Sequence, residues 1–231
     1  MKPHVTCLML SSIDGRLHPS RYTESPDGTR KQWSAAYEAL HDSLDADAWM
    51  VGRVTMAEMS KAEPHAPAAP WTVERPVHVA REAESFAIAI YRSGKLHFDG
   101  GAIGGDHVVV LLGAGVSDSH LAELAADGVS YIVAETDEID VAVALETLNA
   151  RFGIATLLLE GGGGINGALL AAGVVDALSV LVTPALDGGE DVQGIVMSGA
   201  DGLSGKVKLA LKSADVLDHG IVHLRYDVAR G

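Results

Sequence analysis

Apolar residues along this chain gather into short unbroken runs, and the stretches between them carry a helical stripe. Val5 to Leu10, Ala48 to Val51, Val108 to Leu112, Val129 to Val133, Ile154 to Leu159 and Ala177 to Thr183 show almost no alternation, the pattern of strands covered on both faces. Trp33, Tyr37, Leu40 and Leu44 recur at helical spacing, with Ser34 or the residues just before it able to cap the start, and these aromatics read as core. Met56 and Met59 mark a helix opening at Gly52-Arg53-Val54-Thr55. Asp118 to Ala126, Ile139 to Phe152 and Ile165 to Ala172 are further helices, the last followed by Gly173 at a left-handed cap position. Strands separated by helices of this length predict an α/β fold, a mostly parallel sheet flanked by helices on both faces.

The C-terminus and the middle of the chain depart from that rhythm. Lys206 to Val216 and Ile221 to Val228 alternate and are joined by Asp218-His219-Gly220, which predicts a C-terminal antiparallel hairpin at the sheet edge. Val77 to Ala80 is a strand ending at Arg81, whereas Phe86 to Tyr91 and Lys95 to Phe98 read as a hairpin or edge feature before the turn Gly100 to Gly105. His18 to Arg30 has no period and reads as a loop of the lid kind, and Lys61 to Pro76 is a proline-rich excursion. A chain of 231 residues, 48% hydrophobic and 21% charged and without low-complexity segments, is expected to form one domain over residues 1–231.

A formal charge of −14 repels nucleic acid and anionic membranes, so the expected partners are a small-molecule substrate and a second copy of the chain. Any bound phosphate has to be held by local cations and backbone dipoles. Cys7 is the single cysteine and lies in an apolar run, which rules out an internal disulfide framework and fits a cytoplasmic protein. The opening MKPHVTCLML is too short and polar for a signal peptide, and no apolar run approaches the ~20 residues of a membrane span. Histidines 4, 18, 41, 65, 78, 97, 107, 120, 219 and 223 are scattered without ligand spacing, so no metal is expected.

Chemistry concentrates at strand ends. The run Ile154 to Leu159 stops at Glu160 and four glycines, Gly161 to Gly164, and a helix follows from Ile165. Strand, bare loop and helix N-terminus form a phosphate cradle, because backbone N–H groups at the positive end of the helix dipole stand uncovered. A second such junction, Gly52-Arg53-Val54-Thr55, adds a guanidinium and a hydroxyl. The first strand delivers Asp14-Gly15 to its C-terminal edge, where open α/β sheets place ligands.

These residues resemble a known family. Ser12-Ile13-Asp14-Gly15-Arg16, Gly52-Arg53-Val54-Thr55, Glu160-Gly161-Gly162, Val175-Asp176 and Thr183-Pro184-Ala185-Leu186 stand in the order found in the pyrimidine reductase domain of riboflavin biosynthesis, whose fold is that of dihydrofolate reductase. The resemblance implies an NADPH-dependent reductase, NADH not excluded, that delivers a hydride to a ring-opened ribosyl-pyrimidine or a similar heterocycle. It places the nicotinamide between the first strand and the Glu160 loop, with Asp14 and Glu160 as the catalytic carboxylates. It assigns Gly161, Gly162, Gly163, Gly164 and Ile165 to the pyrophosphate, Gly52, Arg53 and Thr55 to the adenosine-side phosphates, Arg81 to the 2′-phosphate, and Thr183 to the cofactor. It also implies a homodimer. The family's Asp-Asp-Pro and Leu-Thr-x-Arg after the second junction are replaced here by Met56-Ala57-Glu58-Met59-Ser60-Lys61-Ala62-Glu63-Pro64, so a different small heterocycle or carbonyl substrate stays open, as does a non-catalytic nucleotide-binding protein.

Plainer readings stand beside these. Asp14-Gly15 is an ordinary turn pair, Glu160 suits a helix N-terminus as an edge carboxylate, and Arg53 is able to pair with Glu58. Gly162-Gly163-Gly164-Ile165-Asn166-Gly167 also satisfies a Rossmann fingerprint, with Asp187 about 20 residues beyond. A Rossmann fold needs further strand-helix units after Asp187, and the remaining chain reads as loop and hairpin.

Overall fold

The computed structural model describes residues 1–67 and 72–231, so part of the proline-rich excursion, residues 68–71, lies outside the described residues. In chain order the elements begin with β1 (His4–Ser11), α1 (Arg30–Ser43), β2 (Ala48–Gly52), α2 (Arg53–Ser60), β3 (Val77–His78), β4 (Phe86–Ile90), β5 (Ala102–Ile103) and β6 (Asp106–Leu112). There follow α3 (Asp118–Ala126), β7 (Ser130–Val133), α4 (Val141–Phe152), β8 (Thr156–Leu159), α5 (Gly163–Ala171), β9 (Ala177–Val182), β10 (Val207–Val216) and β11 (Val222–Arg230). The chain forms two compact units, one of residues 4–46 and 158–231, the other of residues 1–3 and 47–157.

In the first unit β1 runs parallel to β9, and β9 carries the antiparallel pair β11 and β10, so the predicted C-terminal hairpin is present. Leu10, Trp33, Leu181, Ala185 and Ile221 form its core together with Tyr22, which is fully buried. Removing a side chain the size of Trp33 from such a core costs about 3–5 kcal/mol. The stretch read as a lid is anchored rather than loose: Tyr22 donates its hydroxyl to the Arg16 carbonyl, and Thr23 N–H donates to Leu186 O at 2.8 Å. The start of α1 also differs from expectation. Thr29 caps it, in a reciprocal box with Gln32, five residues before Ser34. Gly173 does sit just beyond α5 with φ +66°, as the helix-stop pattern predicts.

The second unit is a parallel core of β2, β4, β6 and β7, with β3 antiparallel on β7 and β5 antiparallel on β6. Here β4 corrects the expectation of a hairpin or edge at Phe86 to Tyr91: it is a central strand, parallel to β2 on one side and β6 on the other. Its residues Phe86, Ala87, Ile88 and Ala89 are buried, and an unbroken apolar run is what a strand covered on both faces requires. Lys95 to Phe98 forms no strand. Among the described residues no helix is long and apolar enough to cross a membrane.

Candidate active site

In the first unit two polar side chains of α1 converge on Glu160. The buried run Leu157 to Leu159 ends there, Gly161 is buried, and Gly162 turns the chain at φ +75° into α5. One turn apart on α1, Tyr37 and His41 reach the same carboxylate oxygen. Tyr37 donates its hydroxyl to Oε1 at 2.7 Å, and His41 Nδ1 lies 2.8 Å from it. Glu160 is 10% exposed and His41 32%, so a nearly buried carboxylate is connected to solvent by an imidazole. Burial, and after it the Glu160 charge, push the Tyr37 hydroxyl far above the ordinary phenol range, so it acts as a hydrogen-bond donor and keeps its proton. Burial likewise pushes the nearby Cys7 thiol up to about 12, which makes it an inert packing group. Sequence reading placed Tyr37 in the core and treated His41 as one of ten scattered histidines. Their i, i+4 spacing on one helix face is the signal that joins them, and only the fold aims that face at Glu160.

Asp14 sits differently. Its carboxylate accepts the Ser12 hydroxyl at 2.6 Å, Gly188 N–H at 2.9 Å and Asp187 N–H at 3.1 Å, and Arg16 Nε lies 3.7 Å away. Those bonds, the Ser12 hydroxyl foremost, hold it well below the usual carboxylate range. A group kept ionised in this way is a poor proton donor near neutral pH. Geometry therefore gives Asp14 the work of fastening the 187–188 turn to the end of β1, the plainer of its two readings.

The glycines after Glu160 divide into two kinds. A Cβ on Gly163 would fall 2.1 Å from Gly194 O, and one on Gly167 would fall 1.9 Å from Met197 O, so these two are bare because the chain's own 194–197 segment lies against α5. Met197 N–H donates to Gly163 O at 2.8 Å and Asn166 Nδ2 donates to Ile195 O at 2.7 Å, sealing that contact. Gly164 is exposed, and a Cβ there meets nothing within 4 Å. Gly162 and Gly164 are thus the positions where a ligand phosphate is able to approach the helix N-terminus, with Ile165 half-buried beside them. Gly163 is bare for packing, with its carbonyl accepting from Met197. Thr183 is fully buried and gives its hydroxyl to Ser11 O at 3.1 Å, which ties it to the end of β1.

In the second unit the β2–α2 junction forms as expected, with Gly52 as the N-cap of α2, Arg53 exposed and Thr55 half-buried. Gly52 is in register with Ile90, Leu111 and Ile132, so the junction lies at the C-terminal edge of the parallel strands. At that same edge, the ends of β6 and β7 open into a cavity of about 500 Å³ lined by apolar residues such as Leu112, Val133 and Val143 and by the carboxylates Glu135, Glu138 and Asp140. Arg81 does not share this edge. Its Nε donates to His107 Nδ1 at 3.1 Å, and His107 is in register with Phe86 and, through it, with Ala48 at the start of β2. That puts Arg81 about 13 Å from Gly52 along the strand direction alone. The antiparallel run of β3 carries the chain back to the opposite edge, so Arg81 is unsuited to a phosphate held at Arg53.

A model of one protein family, the RibD C-terminal domain, matches residues 3–223. The chain belongs to that family. A 112-residue stretch is 33% identical to the 2,5-diamino-6-ribosylamino-4(3H)-pyrimidinone 5′-phosphate reductase of Methanothermobacter thermautotrophicus, covering 47% of this chain and 51% of that protein, so the match spans about half of its relative. Among solved structures, a pyrimidine reductase-like protein from Corynebacterium diphtheriae superposes with a TM-score of 0.69 at 21% identity, covering 99% of this chain and 93% of the other. RibD of Acinetobacter baumannii gives 0.63 at 21% identity over 99% of this chain and 58% of that one. The riboflavin biosynthesis reductase of Saccharomyces cerevisiae gives 0.59 at 17% identity over 99% and 90%. These likenesses carry the fold, the dihydrofolate reductase-like arrangement expected for a RibD C-terminal domain.

Proposed function

We propose that this RibD C-terminal domain is a reductase dependent on a nicotinamide dinucleotide, acting on a ring-opened ribosyl-pyrimidine or a related small heterocyclic or carbonyl compound. The observation that carries the reading is the Glu160–Tyr37–His41 cluster immediately before an approachable helix N-terminus, in a chain of a family with a named reductase relative. Within the first unit the residues fit the pyrophosphate of such a cofactor, since Gly162 and Gly164 leave the first turn of α5 open. Taken by itself, the second unit has a cavity of about 500 Å³ large enough for a nucleoside. When bound, the reduced nicotinamide supplies the hydride.

The chain's own residues supply the rest. Tyr37 fixes the Glu160 carboxylate by its hydrogen bond, and His41, bonded to the same oxygen and partly in solvent, moves a proton between water and Glu160 Oε1. Arg53 and Thr55 hold phosphate at their own corner by charge and hydroxyl. NADPH is the cofactor the family suggests. Among the described residues the charged lining of the cavity is Glu135, Glu138 and Asp140, a set that suits ribose hydroxyls, and the proposed discrimination between NADPH and NADH is assigned to Arg53 at the β2–α2 junction. Arg53→Ala is expected to raise the Michaelis constant for NADPH by about 10-fold or more, the worth of one charge-assisted bond, and that for NADH less. Equal effects on both would remove Arg53 from this role.

The test of the function is loss of reduced-cofactor absorbance with a panel of pyrimidine intermediates and other heterocycles. Tight dinucleotide binding without turnover on any of them favours a nucleotide sensor, and failure to bind either dinucleotide defeats the reading. A homodimer is part of the proposal. Among the described residues strand β10 pairs only with β11, and it exposes Leu209 at 50% and Leu211 at 62%, apolar surface that a second copy is able to cover. The double change Leu209→Asp with Leu211→Asp is expected to turn a sedimenting dimer into a monomer. A dimer that survives it places the contact elsewhere.

A further inference from the structure

On one face of α3, three histidines distant in sequence meet two carboxylates. Glu123 is the centre: its Oε1 lies 2.6 Å from His97 Nδ1 and 3.6 Å from His65 Nδ1, and its Oε2 lies 3.8 Å from His120 Nδ1. His120, Glu123 and Asp127 follow at i, i+3 and i+7, the spacing that keeps them on one stripe. The ligand atoms of His97, His120 and Glu123 all lie within 4.8 Å of one another, and so do those of His65, Glu123 and Asp127. Gly94, at φ +55°, brings the 95–98 segment in close, since a Cβ there would sit 3.0 Å from the His120 ring.

Two features of this cluster call for a cation. Asp127 bonds His65 Nε2 at 2.9 Å through Oδ1, while its buried Oδ2 has no hydrogen-bond partner among the described residues. His120 Nε2 lies 3.1 Å from the Tyr91 hydroxyl, which also lies 3.5 Å from Leu96 O as donor. With Tyr91 donating to Leu96 and accepting from His120 Nε2, Nδ1 of His120 is the acceptor nitrogen of the ring and lies on the Glu123 side. Two imidazole nitrogens and a buried carboxylate oxygen, all within 4.8 Å of one another, form a ligand set for a divalent ion.

We propose that His97, His120 and Glu123 bind a divalent cation of the zinc class, with the His65–Asp127 pair closing the site from the solvent side. Two imidazole nitrogens and one carboxylate suit zinc and its borderline neighbours over magnesium or calcium, and they leave coordination positions for water. The ion would tie the 95–98 segment to α3.

The experiment is titration of the EDTA-stripped full chain with zinc chloride by calorimetry, with zinc per chain counted after gel filtration by plasma mass spectrometry. Expected are about one retained zinc per chain and a melting midpoint that rises with zinc concentration. Binding should weaken by at least about ten-fold in His97→Ala and Glu123→Gln, with a smaller loss in His65→Ala. His97 lies outside helix and strand and Glu123→Gln keeps the side-chain shape, so circular dichroism should find both variants folded. Absence of retained zinc in the unmodified chain, or unchanged affinity in both folded variants, overturns the proposal.

Discussion

Glu160→Gln is expected to lower turnover by about 10²–10⁴-fold, the span of a positioned acid–base group, while leaving dinucleotide affinity within about three-fold. The glutamine oxygen still accepts the Tyr37 hydroxyl that Oε1 accepts at 2.7 Å, so the local packing survives and the loss is read on the proton-carrying capacity alone. His41→Gln should reproduce part of the loss and flatten the pH–rate profile, because the 2.8 Å contact to the same oxygen is the carboxylate's connection to solvent. Tyr37→Phe removes a donor that keeps its proton throughout, so it should reduce the rate less and leave the shape of the pH profile alone. Steady-state rates across pH for the three variants check this. Full activity in Glu160→Gln would end the assignment of Glu160 as the reacting carboxylate, whatever the fate of the cofactor reading.

The second large effect is structural. Gly167→Ala would press a methyl to within 1.9 Å of Met197 O, a backbone atom that is not able to swing aside, and the 194–197 segment would have to leave α5. Overpacking of this kind costs about 1–3 kcal/mol and occasionally more, so a markedly lowered unfolding midpoint is expected. Gly164→Ala is its counterpart. With open space around the added methyl and a helical position to fill, it should be neutral or stabilising by up to about 1 kcal/mol, yet it should weaken the dinucleotide if the first turn of α5 receives the pyrophosphate. Denaturant midpoints and cofactor titrations on the two variants separate glycines kept for packing from glycines kept for binding. Equal destabilisation by both would mean that the loop is bare throughout for packing reasons.

Much of the architecture was legible in the residues. Helix α3 falls where its periodicity puts it, the parallel strands coincide with the unbroken apolar runs to within two residues, and the closing hairpin follows from alternation around Asp218-His219-Gly220. The misplacement of β4 is informative. FAIAI between charged and glycine-rich neighbours looks like an edge when taken locally, and only its pairing on both sides makes it central. The positions of the candidate site residues were legible: Glu160, Gly162, Gly164 and Arg53 stand where strand ends and helix starts were expected to put them.

Sequence by itself determined the alternation of strand and helix, the two glycine junctions and the family signatures, because each of these depends on residues within a few positions of one another. Tertiary structure alone decided what those residues touch. It placed Arg81 at the far edge of its sheet, gave Asp14 and Thr183 to the chain's own backbone, laid residues 194–197 against Gly163 and Gly167, and turned Tyr37 and His41 towards Glu160. It likewise gathered histidines 65, 97 and 120 around Glu123. Such meetings join residues tens of positions apart, and the register and direction of paired strands, which bring them together, leave no trace in local periodicity.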